Sequence, residues 1–242
     1  MEASNETVRA KVREQYTRAA TTGGCCGGDA CCTAGYSPEE LARIPTESVL
    51  GLGSGNPVRR AELKPGETVV DLGSGAGIDV FLAAELVGPE GRAIGIDMTP
   101  VMIERARAIA AGRRISNVSF LLAPIERIPL PDASAEAVVS NCVINLSPAK
   151  LDVFRDAFRI LKPGGRLVVS DIVQERPLGP IKDDCGCVAT AMVRGEYFDT
   201  IRRAGFVEVG VVEDRPWRFG PGGPEASAVT VVARKPRRRK TE

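Results

Sequence analysis

Cysteines are the residues of this chain with the most distinctive chemistry and spacing. Residues 25–32 are CCGGDACC, and three further cysteines follow far downstream at Cys142, Cys185 and Cys187. Thiolates are strong nucleophiles and the preferred ligands of soft ions. In a reducing compartment, clusters of this kind more often indicate metal binding or redox chemistry than structural disulfides. The cysteines therefore predict a site for a thiophilic ion or for thiol–disulfide exchange.

A second chemical signal is VVDLGSGAGIDVFLAA, residues 69–84, where a strand ends at Asp71 and a glycine-rich turn leads into a helix. Such glycines let the backbone turn tightly and approach a ligand, and amides at the helix start bind an anionic group. The G-x-G-x-G spacing departs from the dinucleotide pattern. The acid before the turn suits a ligand with an ammonium group, and S-adenosylmethionine (SAM) has both an ammonium and a carboxylate. We therefore predict a SAM site.

The rest of that site is predicted from the ends of the following strands. Asp97 lies twenty residues after Gly77, where a carboxylate would bind ribose hydroxyls. Met98 and Ile125 follow the second and third strands and are expected to enclose the adenine. The predicted cofactor-binding set is Asp71, Gly73, Ser74, Gly75, Gly77, Asp97, Met98, Ile125, Glu126 and Asn141.

Strands and helices alternate along the part of the chain that must position these residues. Apolar patterning predicts strands at 67–72, 92–97, 118–123, 135–141 and 166–172, with helices at 77–87, 100–112 and 149–161. This alternation predicts a parallel sheet covered by helices. An amphipathic helix at 5–20 and a cysteine-rich loop are expected before it. A helix at 195–204 and an antiparallel strand pair, 205–214 and 226–235, are expected after it.

Composition excludes several classes of function. Lys+Arg number 32 and Asp+Glu 31, a balance that argues against nucleic acid as the main partner. No apolar run is long enough for a membrane span. The polar N-terminal residues lack the pattern of a secretory signal, which predicts a cytoplasmic protein. The basic segment RKPRRRK, residues 234–240, is typical of a solvated end.

Cys142 follows Asn141 at the end of the fourth strand, which is the edge of the sheet where ligands bind. A buried apolar cysteine is the alternative interpretation. The chain contains no histidine, the most frequent general base, so an acceptor that needs no deprotonation is favoured. A thiophilic centre that carries a lone pair and is held by thiolates meets that requirement.

The segments DLGSGAGIDV, GIDMT, SNCVINLSPAK, LKPGGRLVVSDIV and CGCVATAM resemble those of arsenite SAM-dependent methyltransferases, over residues 36–210. The resemblance implies an α/β fold of the class I SAM-dependent methyltransferase (Rossmann-like) type. Its sheet would be mostly parallel with an antiparallel C-terminal strand pair, preceded by an N-terminal helix and Cys-rich loop. The implied segments are 1–60 with the helix and loop, 61–175 binding SAM, and 176–242 binding arsenic. The implied activity is methylation of trivalent arsenic, arsenite or methylarsenite, either in detoxification or in the supply of an organoarsenical precursor.

The same resemblance implies the roles of the cysteines. Cys142 and Cys187 match the family's arsenic-binding cysteines, with Cys185 a competing neighbour of the second. Cys26 and Cys32 are expected to join them as catalytic thiols from the loop. Cys25 and Cys31 qualify equally. The expected partners are trivalent arsenicals and a thiol reductant, either thioredoxin or small thiols.

One position departs from the family pattern, because Ser54 stands in GLGSGNP where members commonly have cysteine. Either the loop at 25–32 supplies the missing thiol, which we favour, or the enzyme prefers methylarsenite. Three alternatives stay open: a zinc clip at Cys26 and Cys31, a methyltransferase for a small organic substrate, and a thiol-based metalloid-binding protein without turnover.

Overall fold

A mixed β-sheet forms the centre of the computed structural model, which describes residues 2–22, 35–177, 187–218 and 225–237. Within these residues the strands number seven, in the spatial order β3-β2-β1-β4-β5-β7-β6. They are β1 (Thr68–Leu72), β2 (Arg92–Asp97), β3 (Val118–Leu122), β4 (Ala135–Asn141), β5 (Leu161–Gln174), β6 (Val207–Arg218) and β7 (Glu225–Arg234). The helices are α1 (Glu2–Thr22), α2 (Pro38–Arg43), α3 (Pro57–Arg60), α4 (Ile78–Val87), α5 (Pro100–Arg113), α6 (Lys150–Ile160) and α7 (Arg194–Arg203).

The order of the strands reverses beside β1. β1 pairs in parallel with β2 on one side and with β4 on the other. Connections therefore leave these strands in opposite directions and open a crevice beyond their carboxyl ends. β7 runs antiparallel between β5 and β6. The predicted α/β class I methyltransferase sheet, with its antiparallel C-terminal pair, is confirmed.

Apolar side chains cover both faces of the sheet, as the nearly continuous apolar strands require. Val80 and Phe81 of α4 pack with Ile103 of α5 on one face. Phe154 of α6 and Tyr197 of α7 pack on the other. The strand ends are thereby held rigidly beneath the crevice. Among the described residues, no helix is long and apolar enough to cross a bilayer.

The structure differs from the predicted elements mainly at their ends. α1 is longer than the predicted 5–20, and β5 begins at Leu161 instead of 166 because Leu161 already pairs with Ala135 before a shift in register. The short helices α2 and α3 were missed. Both have local start signals, since Ser37 forms a capping box with Glu40 and Asn56 caps α3 ahead of a proline. The predicted cysteine-rich loop lies outside the described residues.

Candidate functional site

A cleft of about 1410 Å³, solvent at its mouth included, opens at the carboxyl ends of β1, β2 and β4. Ten of the predicted site residues that the structure describes share its wall with Cys187: Asp71, Gly73, Ser74, Gly75, Asp97, Met98, Ile125, Glu126, Asn141 and Cys142. Gly77 does not line it. The two sets of predicted residues, one for SAM and one for a thiophilic ion, therefore meet in one cleft.

The glycine turn has the close approaches that its sequence predicts. Gly73 has φ 73°, and a Cβ placed there would lie 2.5 Å from Val143. Gly77 has φ 97°, and a Cβ there would lie 2.9 Å from the Phe120 ring. Gly73 thus keeps the cleft open, whereas Gly77 allows the turn to pack on the sheet. The contact of Gly77 with the cofactor stays a prediction, and its position explains the packing of the turn against Phe120.

Asp97 is held at the end of β2 by backbone amides. Its Oδ2 accepts a hydrogen bond from Gly75 N at 2.9 Å and its Oδ1 from Thr99 N at 2.7 Å. Burial raises the pKa of Asp97, and these amides oppose the rise. Next to it, the buried Ser74 hydroxyl has no hydrogen-bond partner among the residues that the structure describes. A Cβ at Gly95 would lie 2.5 Å from this oxygen, so the hydroxyl faces β2 and not the open cleft.

Two further acids, Asp71 and Asp79, are buried in the same wall, at 4% and 2% exposed. Burial raises the pKa of Asp79 to about 6. The pKa of Asp71 lies well above its usual range because of burial, then because Asp79 and Asp97 are close. No Lys or Arg in the described parts of the chain forms an ion pair with any of these three carboxylates. A cationic ligand would supply the missing positive charge, and SAM fits these residues in that respect.

Asn141 fastens the GLGSG loop (residues 51–55) to the end of β4. Its Oδ1 accepts hydrogen bonds from Ser54 N at 3.0 Å and Gly55 N at 3.3 Å. Its Nδ2 donates to Gly55 O at 2.8 Å and to Tyr36 Oη at 2.9 Å. Arg215 of β6 donates to the Ser54 carbonyl oxygen at 2.8 Å. The loop is therefore fixed beside Cys142, the residue after Asn141.

Cys142 and Cys187 have their thiols together. Cys142 has the left-handed φ of 58°, uncommon for a residue with a side chain and frequent at functional sites. Its pKa is raised well above the usual value, first by a hydrogen bond with Cys187, then by burial and by the nearby charges of Cys187 and Asp171. The Ser54 hydroxyl lies close enough to lower that pKa, although it is buried and makes no hydrogen bond of regular geometry within the described parts of the chain. Both thiols are free.

Apolar side chains pack around the thiol pair on the side away from the open cleft. The buried ones are Leu146, Ile172, Val188, Ala226 and Ala228. Trp217 of β6 and Tyr16 of α1 pack against the same cluster while lining the cleft. An apolar surrounding of this kind strengthens bonds between a soft ion and sulfur by removing competing water.

At the other end of the cleft, Glu126 joins the first helix to the sheet. Its Oε1 accepts hydrogen bonds from Ser147 Oγ at 2.7 Å and from Arg9 Nε of α1 at 3.4 Å. Met98 and Ile125 lie in the same wall. α1 therefore covers the cleft along its length, from Arg9 to Tyr16.

Sequence reasoning missed several residues of this cleft. Asp79 follows the glycine turn directly, but an acid in a first helical turn is ordinarily explained by the helix dipole. Tyr36, Arg9 and Trp217 belong to no motif, and nothing in their local sequence indicates the cleft. Of the predicted catalytic thiols, Cys26 and Cys32 lie outside the described residues, as do Cys25, Cys31 and Cys185.

Comparison with known proteins identifies the family. A model of the methyltransferase domain matches residues 63–205. An arsenite methyltransferase of Halobacterium salinarum is 41% identical over 96% of this chain and 68% of its own length. A second, from Aquipseudomonas alcaligenes, is 38% identical over 77% of this chain, which spans 58% of that relative. The crystal structure of an arsenic(III) S-adenosylmethionine methyltransferase from Chlamydomonas reinhardtii aligns with a TM-score of 0.69 and 30% identity, covering 82% of this chain and 73% of that one. Identity of this extent over nearly the whole chain shows that it belongs to the arsenite methyltransferase family of SAM-dependent enzymes.

Proposed function

We propose that this chain methylates trivalent arsenic held by Cys142 and Cys187, with SAM as the methyl donor. The observation that carries the proposal is the contact between these two thiols in the cleft that also contains the glycine turn and the buried acids. Two relatives are named arsenite methyltransferases, which supports a trivalent arsenical as the substrate. The Cys142–Cys187 pair would be its binding site in this chain.

The SAM end of the cleft would use residues of β1, β2 and the turn between β1 and α4. Asp97 would hold the ribose, and the turn amides with Asp71 would hold the amino-acid part. Met98 and Ile125 would enclose the adenine. When bound, SAM supplies an electrophilic methyl group on a sulfonium. The rigid strand ends fix its position, so that orientation contributes much of the rate.

The thiol end would bind arsenic without a separate base. Each As–S bond replaces an As–OH bond, and the thiol proton leaves with the hydroxide as water. The raised pKa of Cys142 keeps that proton on the thiol until arsenic arrives. The arsenic lone pair then serves as the nucleophile. Donating it leaves arsenic formally pentavalent, and two thiols that close a disulfide return the two electrons.

Ser54 limits the number of protein sulfur ligands in the described part of the site to two. Its hydroxyl lies beside Cys142, where a thiol would complete a third As–S bond. A hydroxyl is a poor ligand for a soft ion. Methylarsenite has two exchangeable positions, which match two thiols, whereas arsenite has three. We expect methylarsenite to be used with Cys142 and Cys187 alone, and arsenite to need a third thiol from the loop at 25–32.

The test is a turnover assay with SAM, a thiol reductant and either arsenite or methylarsenite, with the arsenic products separated by chromatography. Cys142→Ser and Cys187→Ser should each abolish turnover of both substrates, while the matched Cys185→Ser should not. Cys26→Ser with Cys32→Ser should reduce arsenite turnover selectively. Arsenical turnover retained without Cys142 and Cys187 would overturn the thiol site, whereas a wild type that binds SAM but methylates neither arsenical would favour a small organic substrate.

The proposed reaction also needs a thiol reductant as a partner. The disulfide step requires a reductant, which we propose to be thioredoxin or a small thiol, and we propose a cytoplasmic location, where such reductants are abundant. Omitting the reductant should limit the enzyme to a single turnover. Multiple turnovers without it would contradict the redox step.

A further inference from the structure

Asp79 occupies an unusual position for a carboxylate, in the first turn of α4 and almost fully buried in the wall of the cleft. Both of its oxygens are held. Tyr36 Oη donates to Oδ1 at 2.8 Å, and Asn141 Nδ2 approaches Oδ2 at 3.3 Å. These donors come from the segment before α2 and from the end of β4, so the carboxylate is oriented by tertiary structure. Hydrogen bonds donated to a carboxylate stabilise its ionised form, so these two donors favour the ionised form of Asp79.

The groups around Asp79 do not neutralise that anion. Asp71 faces it from the end of β1 and Glu40 from α2, and Glu40 is already paired with Arg59 of α3. Among the described residues, no Lys or Arg pairs with Asp79 or Asp71. Asp79, with only neutral donors, thus lies beside Asp71 in a wall where negative charge is costly when the cleft holds no cation.

The reaction changes the charge of the molecule that this wall faces. SAM carries a sulfonium, an ammonium and a carboxylate, whereas S-adenosylhomocysteine, which is left after methyl transfer, lacks the sulfonium charge. We propose that Asp79, oriented by Tyr36 and Asn141, is a specificity-determining residue that makes the cleft prefer cationic SAM over this less positive product. The proposal rests on the SAM binding of the proposed function and explains why a buried acid without a cation is kept beside Asp71.

The preference should depend on pH, because burial raises the pKa of Asp79 to about 6. Below that value Asp79 is protonated and contributes no charge, so the ratio of SAM to S-adenosylhomocysteine affinity should fall as pH decreases from 7.5 to 5. The Tyr36 hydroxyl lowers the pKa of Asp79. Tyr36→Phe should therefore move the midpoint of this pH dependence upward.

The experiment is isothermal titration calorimetry of SAM and of S-adenosylhomocysteine with the wild type, Asp79→Asn and Asp97→Asn at pH 7.5. Asp79→Asn, which preserves shape and the Tyr36 contact, should weaken SAM binding about tenfold and S-adenosylhomocysteine binding less than about twofold. Asp97→Asn is the matched control, since the ribose is common to both ligands and both affinities should fall together. Thermal unfolding without ligand should show that Asp79→Asn remains folded.

Equal losses for the two ligands in Asp79→Asn would overturn the inference, as would a wild-type affinity ratio that does not change with pH. If Asp79→Asn fails to fold, Tyr36→Phe decides: an unchanged midpoint of the pH dependence in that variant would overturn the inference, and an upward shift would support it. Absence of SAM binding by the wild type would overturn the proposed function as well. Selective loss in Asp79→Asn without arsenic turnover would support the inference and count against the substrate assignment alone.

Discussion

Asp79 should make the ligand-free protein less stable as pH rises through the mildly acidic range. Its pKa is raised from 3.8 to about 6 on folding, so the folded state holds a proton that the unfolded chain has already lost. Stability from this group is complete below about pH 4 and declines until about pH 6. A shift of about two units corresponds to about 3 kcal/mol.

The measurement is urea unfolding of the wild type and Asp79→Asn at half-unit steps from pH 4 to pH 7. The variant cannot ionise at this position, so its free energy of unfolding should rise relative to that of the wild type across the window, by about 3 kcal/mol. Comparing the two proteins at each pH cancels the constant effect of the substitution on hydrogen bonds.

Asp214→Asn is the matched control. Asp214 is exposed, and a hydrogen bond with Arg194 lowers its pKa, so its small contribution has the opposite sign and is lost as pH falls. A difference between wild type and Asp79→Asn that stays flat from pH 4 to pH 6 would refute the assignment of a buried, uncompensated carboxylate. If the free energy of unfolding of Asp79→Asn fell relative to that of the wild type as pH rises, the direction of the pKa shift would be wrong.

Gly73→Ala should weaken SAM binding at least about tenfold by calorimetry, because the new Cβ would lie 2.5 Å from the Val143 side chain. Gly66→Ala is the control: Gly66 has φ 84° and nothing within 4 Å of a Cβ, so this change should lower stability without affecting SAM binding. Asn141→Ala should lower the free energy of unfolding by about 2 kcal/mol in urea, since it leaves the amides of the GLGSG loop unpaired, and arsenical turnover should fall with it. Trp217, the sole tryptophan, lines the cleft beside the thiols, so its fluorescence should change on adding methylarsenite and stay constant in Cys142→Ser.

Local sequence was sufficient for much of the fold and for one half of the site. The turn after Asp71 could be predicted because strand, glycine positions and helix start are contiguous, and each has its own local signal. The alternation of apolar segments predicted the sheet for the same reason. Ends of elements were less predictable, as at Leu161, because pairing with a neighbouring strand extends β5 beyond its own pattern.

Residue type alone indicated soft-ion chemistry, and the positions of Asp71, Asp97 and Cys142 at strand ends placed them at one edge of the sheet. What only the tertiary structure decided is which distant side chains meet there. Cys187 reaches Cys142 across 45 positions of sequence, and Tyr36 with Asn141 orients Asp79 from separate segments. Such contacts depend on how helices and loops pack over the strand ends. Because the whole core determines that packing, no local sequence pattern predicts which distant side chains meet.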